Sequence, residues 1–122
     1  MEDFHQSKNI DFNKFFLKTI KKVAHTCDFE ICGGATERRL FLWENSAPNR
    51  REGFCIDPKK YFNIFKNIKF FFHSHPFGEA TPTEVDVFAA DELQKPFLIY
   101  AVVDQKFCFY SPKSKKSIYF CL

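Results

Sequence analysis

The feature that most constrains the fold of this chain is an apolar stretch, residues 68–75, which ends in His73-Ser74-His75 and is followed at once by Pro76. A short apolar run that ends at a proline favours a buried β-strand. Side chains two residues apart in a strand point to the same face, so the two imidazoles would lie side by side where the strand ends. The sequence therefore predicts a sheet with paired histidines at the end of one buried strand.

Three helices are predicted around this strand. Asp11 can cap a helix that runs to about Cys27, since apolar residues recur along it at three-to-four spacing. Asp57-Pro58 is a favourable helix start, because a capping carboxylate precedes a proline at the first helical position. Thr83 and Asp86 have the spacing of a capping box that opens a third helix. The predicted inward face of this third helix consists of Val85, Phe88, Ala89 and Leu93.

Five further segments have strand character: residues 30–34, which two glycines are expected to break, and residues 38–44, 96–103, 106–110 and 118–121. Strands interspersed with helices predict a mixed sheet with helices packed on it. At 122 residues the chain has the length of one domain, so we expect a single compact α/β (α+β mixed) domain over residues 1–122. Its 18 phenylalanines are interpreted mainly as core residues, as is Trp43.

Charge and cysteine usage argue against several classes of protein. The formal net charge is +3 and the basic pairs are scattered, unlike the basic stripe of a dedicated nucleic-acid binder. The longest apolar run is far shorter than the roughly 20 residues of a membrane span, and the N-terminus does not resemble a signal peptide. The cysteines form no C-x-x-C pair, and Cys32, Cys55, Cys108 and Cys121 are predicted to be buried free thiols. We therefore expect a soluble, cytoplasmic protein that binds neither nucleic acid nor membrane.

His73, His75 and Asp86 have the residue types and the spacing of a metal site. Two histidines and one carboxylate leave a fourth tetrahedral position open for water, which is typical of catalytic rather than structural zinc. Each residue alone also has a structural explanation, since an acidic residue favours a helix N-terminus and Thr83 can serve as an N-cap. Their combination at this spacing favours the metal site. A mononuclear iron site with the same ligands is a chemically allowed alternative.

Two other metal-binding patterns do not fit. A cupin-like pattern could use Glu79 but needs a further histidine downstream, whereas His5 and His25 both lie upstream and are interpreted as surface residues. A metallo-β-lactamase pattern requires Asp-His soon after the second histidine, where this chain has Phe77 and Gly78.

The spacing of the metal-site residues resembles the JAMM signature of the MPN/JAB metallopeptidases. That signature is His-x-His, seven residues, Ser, two residues and Asp, and this chain has His73-Ser74-His75, seven residues, Thr83, two residues and Asp86. The match to the His-Ser-His-Pro form is closest to short bacterial and phage tail-assembly members of the family.

Two upstream segments extend the resemblance. Glu30-Ile31-Cys32-Gly33 is similar to the family's glutamate element, and Asn45 together with residues 54–58 is similar to its connecting segment. The resemblance thus covers residues 12–110. It implies an MPN-like curved mixed sheet flanked by helices.

The resemblance implies one zinc ion per chain, held by His73, His75 and Asp86. Glu30 would act as the general base that deprotonates a metal-activated water and then protonates the leaving amine. Thr83 stands where the family has a serine that donates a hydrogen bond to the oxyanion; threonine keeps the hydroxyl but has a stiffer χ1. The implied activity is zinc-dependent hydrolysis of a peptide or isopeptide bond.

The expected partner is a protein or peptide substrate, such as the flexible tail of a ubiquitin-like protein or a phage tail protein cleaved in the host cytoplasm. The alternative is a non-enzymatic MPN module used in assembly, for example of phage tails. The segment from His75 to Asp86 has no insertion, which favours simple or tethered targets over polyubiquitin. Phe71, Phe72 and Phe77 flank the predicted zinc and are expected to line the substrate groove.

Overall fold

Three helices and six strands form within residues 13–122, the part of the chain that this computed structural model describes. In chain order they are α1 (Lys14–Ala24), β1 (Cys32–Ala35), β2 (Leu40–Trp43), α2 (Pro58–Phe65), β3 (Phe70–His75), α3 (Glu84–Leu93), β4 (Phe97–Ala101), β5 (Lys106–Ser111) and β6 (Lys116–Phe120). Each predicted helix and strand corresponds to one of these elements. The differences concern their ends and the faces that they bury.

The six strands form one mixed sheet in the order β2-β1-β3-β4-β5-β6. β3 and β4 are parallel and are connected through α3, while every other neighbouring pair is antiparallel. Because β3 and β4 run in the same direction, the histidine end of β3 lies beside the end of β4, with His75 opposite Ala101. The predicted mixed α/β arrangement is confirmed, and β3 is an interior strand of the sheet.

The apolar side of α1 covers one face of the sheet. Leu17, Ile20 and Ala24 pack in one buried cluster with Phe72 of β3 and Tyr100 of β4. The lysines of α1 lie mostly on its other side and are largely exposed. This helix therefore buries the face that three-to-four spacing predicted.

The ends of α1 differ from the prediction. The helix begins after Asn13, whose side-chain oxygen accepts a hydrogen bond from the backbone N–H of Phe15 at 2.8 Å. Asn13 is therefore its N-cap, and the predicted cap, Asp11, lies outside the described residues. The helix ends at Ala24, before the predicted Cys27.

The opposite face of the sheet, covered by α2 and α3, has a largely aromatic core. The ring of Trp43 stacks on Tyr61 and Phe65, with centroid distances of 4.6 and 5.6 Å. Phe71 of β3 and Phe97 of β4 are buried in the same cluster. The interpretation of Trp43 and of many phenylalanines as core residues is confirmed. α2 also begins as predicted, with a capping aspartate followed by proline.

The predicted inward face of α3 is wrong for three of its four residues. Val85 and Phe88 are 72% and 67% exposed and Leu93 is 38% exposed, whereas Ala89 is partly buried against the aromatic core. Asp86 and Ala90 are the buried residues of this helix. The prediction assumed that the most hydrophobic side of the helix faces the sheet. The side that carries Asp86 faces the sheet instead, and its carboxylate lies next to His73 and His75 of β3.

The predicted break in the first strand is also wrong, because β1 runs through Gly33 and Gly34 to Ala35. Glycine serves here to let backbone and side chains approach closely. A Cβ atom at Gly33 would overlap the carbonyl oxygen of Phe41 in the adjacent strand β2. On its other side β1 pairs with β3, with Cys32 opposite His73.

The predicted burial of the cysteines is confirmed for two of the four. Cys32 and Cys108 are buried in the sheet, but Cys55 and Cys121 are exposed. Apolar neighbours in sequence misled the prediction, because Cys55 lies in an irregular segment before α2 and Cys121 follows the edge strand β6. Within residues 13–122, no helix is long and apolar enough to cross a membrane.

Candidate metal centre

The two histidines of the His-x-His motif lie together at the end of β3. His73 and His75 are 1% and 7% exposed, and their ring centroids are 5.1 Å apart. The ring of Phe54 stacks on His73 with a centroid distance of 4.3 Å. The two-residue periodicity of a strand therefore brings the imidazoles together, as the sequence predicted.

A loop contact orients the ring of His75. Its Nδ1 lies 2.5 Å from the carbonyl oxygen of Glu79, and because a carbonyl only accepts, Nδ1 must carry a proton. In the neutral ring Nε2 is then unprotonated, and it faces Oδ2 of Asp86 at 3.3 Å. Two acceptors in this position need a cation between them, either a proton or a metal ion. A backbone carbonyl on the second nitrogen is the usual support of a metal-ligating histidine.

Asp86 lies in the first turn of α3 and is held by a capping box. Its Oδ2 accepts a hydrogen bond from the backbone N–H of Thr83 at 3.0 Å, and the Thr83 hydroxyl accepts one from the N–H of Asp86 at 3.1 Å. The same carboxylate places Oδ1 3.0 Å from Nε2 of His73 and Oδ2 3.3 Å from Nε2 of His75. Thr83 is thus the N-cap that the sequence predicted, and the cap fixes the carboxylate that meets both histidines.

Glu30 reaches the same place from the segment before β1. It is 6% exposed, and one potential ligand atom from each of Glu30, His73 and His75 lies within 4.8 Å of the others. These three buried residues form a group that can hold a metal ion. The four residues Glu30, His73, His75 and Asp86 therefore come together, although they belong to three separate segments of the chain.

The backbone around Glu30 is hydrogen-bonded on several sides. The N–H of Glu30 donates to the carbonyl oxygen of Arg50 at 2.6 Å, and its own carbonyl accepts from the side-chain amide of Asn45 at 2.8 Å. The hydroxyl of Ser74, between the two histidines, accepts from the N–H of Ile31 at 2.9 Å. The first two bonds hold Glu30 against the segment that follows β2, and the third holds its neighbour Ile31 against the end of β3.

Burial and mutual charge shift the pKa values of the site. Burial raises the pKa of Glu30 to about 7. The charge of Asp86 also raises this pKa, whereas the charge of His75 lowers it. Burial also acts to raise the pKa of Asp86, but the two histidines outweigh it and hold that pKa well below its usual range. Burial lowers the pKa of His73, so its ring favours the neutral form. An ionised Asp86, a neutral His73 and a carboxyl that titrates near neutral pH therefore share one site.

A divalent cation would satisfy polar atoms that have no partner. Both ring nitrogens of His73 are buried and, within residues 13–122, accept or donate no hydrogen bond. Oδ1 of Asp86 lies at ion-pair distance from Nε2 of His73, but the geometry of these two atoms is not that of a hydrogen bond. Such unsatisfied buried atoms are rare in folded proteins. Imidazole nitrogens and carboxylate oxygens are ligands that zinc accepts, so the residues fit the predicted metal.

An open cleft of about 900 Å³ leads to this group, and its lining includes Glu30, His75 and Thr83. Phe77 is 60% exposed on its wall, with the guanidinium carbon of Arg51 5.0 Å from the ring centroid. The Thr83 hydroxyl acts as an acceptor toward the N–H of Asp86, which leaves its own proton available for a ligand. The cleft therefore offers access from solvent to His75 and Glu30.

The expectation that three phenylalanines line the groove is wrong for two of them. Phe71 and Phe72 are each 1% exposed and belong to the core clusters on the two faces of the sheet. Their position next to the histidines in sequence misled the prediction, because they lie in the middle of β3 and not at its end. Phe77, which follows β3, does line the cleft.

The sequence resemblance placed Asn45 and Phe54 in a connecting segment, but sequence reasoning gave neither of them, nor Ser74, a role in the site. Oδ1 of Asn45 accepts from the N–H of Ala47 at 3.0 Å, a local turn that asparagine often forms and that the sequence could have indicated. Its bond to the carbonyl of Glu30, in contrast, joins segments that no local pattern connects.

No protein-family model and no curated protein matches this chain. Among solved structures, the solution structure of protein DSY2949 from Desulfitobacterium hafniense is similar, with a TM-score of 0.64 and 19% sequence identity. The similarity covers 89% of this chain and 88% of that one. At this level of identity the similarity shows a shared fold, and a shared fold alone does not establish a shared function.

Proposed function

We propose that the protein is a zinc-dependent hydrolase of peptide or isopeptide bonds, of the JAMM type on an MPN-like fold, with one zinc ion per chain. His73, His75 and Asp86 would hold the ion, and Glu30 would be the general base. The observation that carries the proposal is the convergence of these four buried side chains beside one cleft. Burying so many ionisable groups together is costly and is typical of functional sites.

Zinc, when bound, would supply the Lewis acidity that activates a water molecule and polarises the scissile carbonyl. Burial raises the pKa of Glu30 to about 7 in the site without a metal ion, which shows that the surroundings of this carboxylate solvate its charge poorly and favour uptake of a proton. It would accept the proton of the attacking water and pass it to the leaving amine. The free proton of the Thr83 hydroxyl would stabilise the carbonyl oxygen as that atom gains negative charge.

The cleft suits a flexible peptide segment. Its volume of about 900 Å³ and its open form provide room for an extended chain beside Phe77 and Arg51. The proposed substrate is therefore an exposed tail or linker of another protein, such as a ubiquitin-like or a phage structural protein. All five cysteines are free thiols, which supports action in a reducing compartment such as the cytoplasm.

A peptide library derived from a whole proteome, with new termini read by mass spectrometry, tests the proposal on many candidate substrates at once. The zinc-loaded wild-type protein should cleave a defined subset of peptides. Glu30→Gln should retain zinc and lose cleavage, because the amide accepts no proton. Glu84→Gln is the matched control, since it makes the same change at an exposed glutamate of α3.

Two outcomes of this experiment would contradict the assignment. Cleavage by Glu30→Gln at the wild-type rate would remove Glu30 as the base. A wild-type protein that holds zinc but cleaves no peptide in the library or in a set of folded ubiquitin-like substrates would favour the alternative, a non-enzymatic assembly module.

A further inference from the structure

We infer that Asn45 is a positioning residue that holds both Glu30 and the imidazole of His73 in place. This inference rests on the proposed function, because it concerns the base and one ligand of that site. Asn45 lies in the segment between β2 and α2, away from the cleft lining, and is 5% exposed. It would therefore act through other residues and not by touching a substrate.

The side-chain amide of Asn45 uses its full hydrogen-bonding capacity. Nδ2 donates to the carbonyl oxygens of Glu30 at 2.8 Å and Gly53 at 2.9 Å. Oδ1 accepts from the N–H groups of Ala47 at 3.0 Å and Cys55 at 3.1 Å. An amide has two donor hydrogens and two acceptor lone pairs, so all four are satisfied. A buried amide with four partners has one orientation, and so has the backbone that it binds.

The first consequence concerns Glu30. Its carbonyl is held by Asn45, and its N–H donates to the carbonyl of Arg50 in the same segment between β2 and α2. Both backbone polar groups of Glu30 are thus bonded to one segment. Within that segment, the Asn45 side chain also binds Ala47, which precedes Arg50, and Gly53 and Cys55, which follow it. The direction in which the Glu30 side chain leaves the backbone therefore depends on this amide.

The second consequence concerns His73. Gly53 and Cys55, two partners of Asn45, are the immediate neighbours of Phe54. The ring of Phe54 stacks on the imidazole of His73, with centroids 4.3 Å apart and planes inclined by 24°. Neither ring nitrogen of His73 makes a hydrogen bond in the described part of the chain, so ring packing on Phe54, together with the edge of Phe97 and the ion-pair contact with Asp86, orients the imidazole. One amide thus connects the proposed base with one proposed ligand.

Loss of such outer support typically costs about 10–100-fold in metal affinity or activity. Asn45→Asp is the sharpest test, because it keeps the shape and both acceptor contacts. The change removes the two donor bonds and places a carboxylate against the carbonyls of Glu30 and Gly53. Ser46→Ala is the matched control, since it removes the hydrogen bond from the Ser46 hydroxyl to the Cys55 carbonyl, 3.1 Å, without touching Glu30.

The primary readout is the visible spectrum of the full chain loaded with Co²⁺, because zinc itself has no spectral signature while cobalt bands report ligand geometry. Asn45→Asp should shift these bands and weaken zinc binding, measured by chelator competition, by about 10–100-fold. Ser46→Ala should leave both unchanged. If circular dichroism shows that Asn45→Asp does not fold, the cobalt spectrum and zinc affinity are measured on Asn45→Ala, which introduces no charge.

The second readout uses a peptide that the wild-type protein cleaves. Asn45→Asp should lower kcat by about 10–100-fold with little change in KM. Ser46→Ala should leave kcat unchanged, and an equal loss of kcat in both variants would indicate a general structural effect of this segment.

The outcomes separate this inference from the proposed function. Unchanged cobalt bands and zinc affinity in Asn45→Asp, or an equal shift in Ser46→Ala, would overturn the positioning role while the hydrolase stands. Cobalt binding without cleavage in the wild-type protein would count against the hydrolase, and the band shift would still decide the role of Asn45. A wild-type protein that binds neither metal would refute both.

Discussion

The helices α1 and α3 pack on opposite faces of the same sheet, and different forces determine which side each helix buries. α1 buries its apolar side, including Leu17 and Ile20, and exposes most of its lysines. α3 buries Asp86 and exposes Val85 and Phe88. Hydrophobic burial orients the first helix, whereas contacts between one carboxylate and two histidines orient the second. Local rules fail where a buried polar contact decides which side of a helix faces the sheet, and such failures are expected mainly at functional or strained sites.

The largest effect is expected at the core side of α1. Ile20 is 1% exposed, so Ile20→Ala should lower the free energy of unfolding by about 2–5 kcal/mol through lost burial and a cavity. Urea denaturation measures this change, with Lys18→Ala as the exposed control. Zinc affinity should not change, because α1 contacts the face opposite the candidate metal centre. A cost below about 1 kcal/mol would mean that burial does not orient α1.

A metal-dependent effect is expected at the buried side of α3. At a free zinc concentration of 100 times the Kd, the free energy of unfolding of the wild-type protein should rise by about 2.7 kcal/mol, because the ion binds the folded state only. Asp86→Asn keeps the shape and the capping acceptor but removes the charge, and should lose most of this increment. Thermal unfolding with and without zinc measures it. Asp91→Asn is the control, because it makes the same change at a surface ion pair with Lys115. If zinc stabilises Asp86→Asn as much as Asp91→Asn, Asp86 is not a ligand.

Variants of the N-caps of α1 and α3 distinguish a structural role from the proposed catalytic role of Thr83. Thr83→Ala and Asn13→Ala should each cost about 0.5–2 kcal/mol of unfolding free energy, since each removes a capping acceptor. Only Thr83→Ala should also slow peptide cleavage, by about 10²–10³, because the hydroxyl is the proposed oxyanion donor. Thr83→Ser should restore both properties. Wild-type cleavage by Thr83→Ala would limit this residue to capping.

The smallest effect is expected at the exposed apolar side of α3. Phe88 is 67% exposed, so Phe88→Ala should change the free energy of unfolding by no more than about 0.5 kcal/mol. A loss of several kcal/mol in urea denaturation would show instead that the helix packs as its hydrophobic pattern predicted. Paired with Ile20→Ala, this variant compares the two helices directly.

Much of the fold and the site was predictable because the relevant signals are local. Asp57-Pro58 and the pair of Thr83 and Asp86 mark helix starts within a few residues, and they cap α2 and α3 as expected. The His-x-His motif places two imidazoles together through strand periodicity alone. The resemblance to a known motif then pointed to Glu30, which the structure brings to the same group.

The remaining features depend on contacts between distant segments. The orientation of α3 follows from Asp86 meeting β3, so the hydrophobicity of Val85 and Phe88 was misleading. Glycine at position 33 predicts a strand break, but the close approach of Phe41 in β2 makes Gly33 necessary within the strand. The bond between Asn45 and the backbone of Glu30 likewise has no counterpart in local sequence.

The central claim is that His73, His75 and Asp86 form a zinc site, and the metal content of the protein purified without a histidine tag tests it most directly. Elemental analysis should find about one zinc per chain in the wild-type protein and in Glu30→Gln, but none in His73→Ala, because loss of a ligand removes the ion. A wild-type protein without zinc, stoichiometric iron in its place, or full zinc content in His73→Ala would contradict the claim.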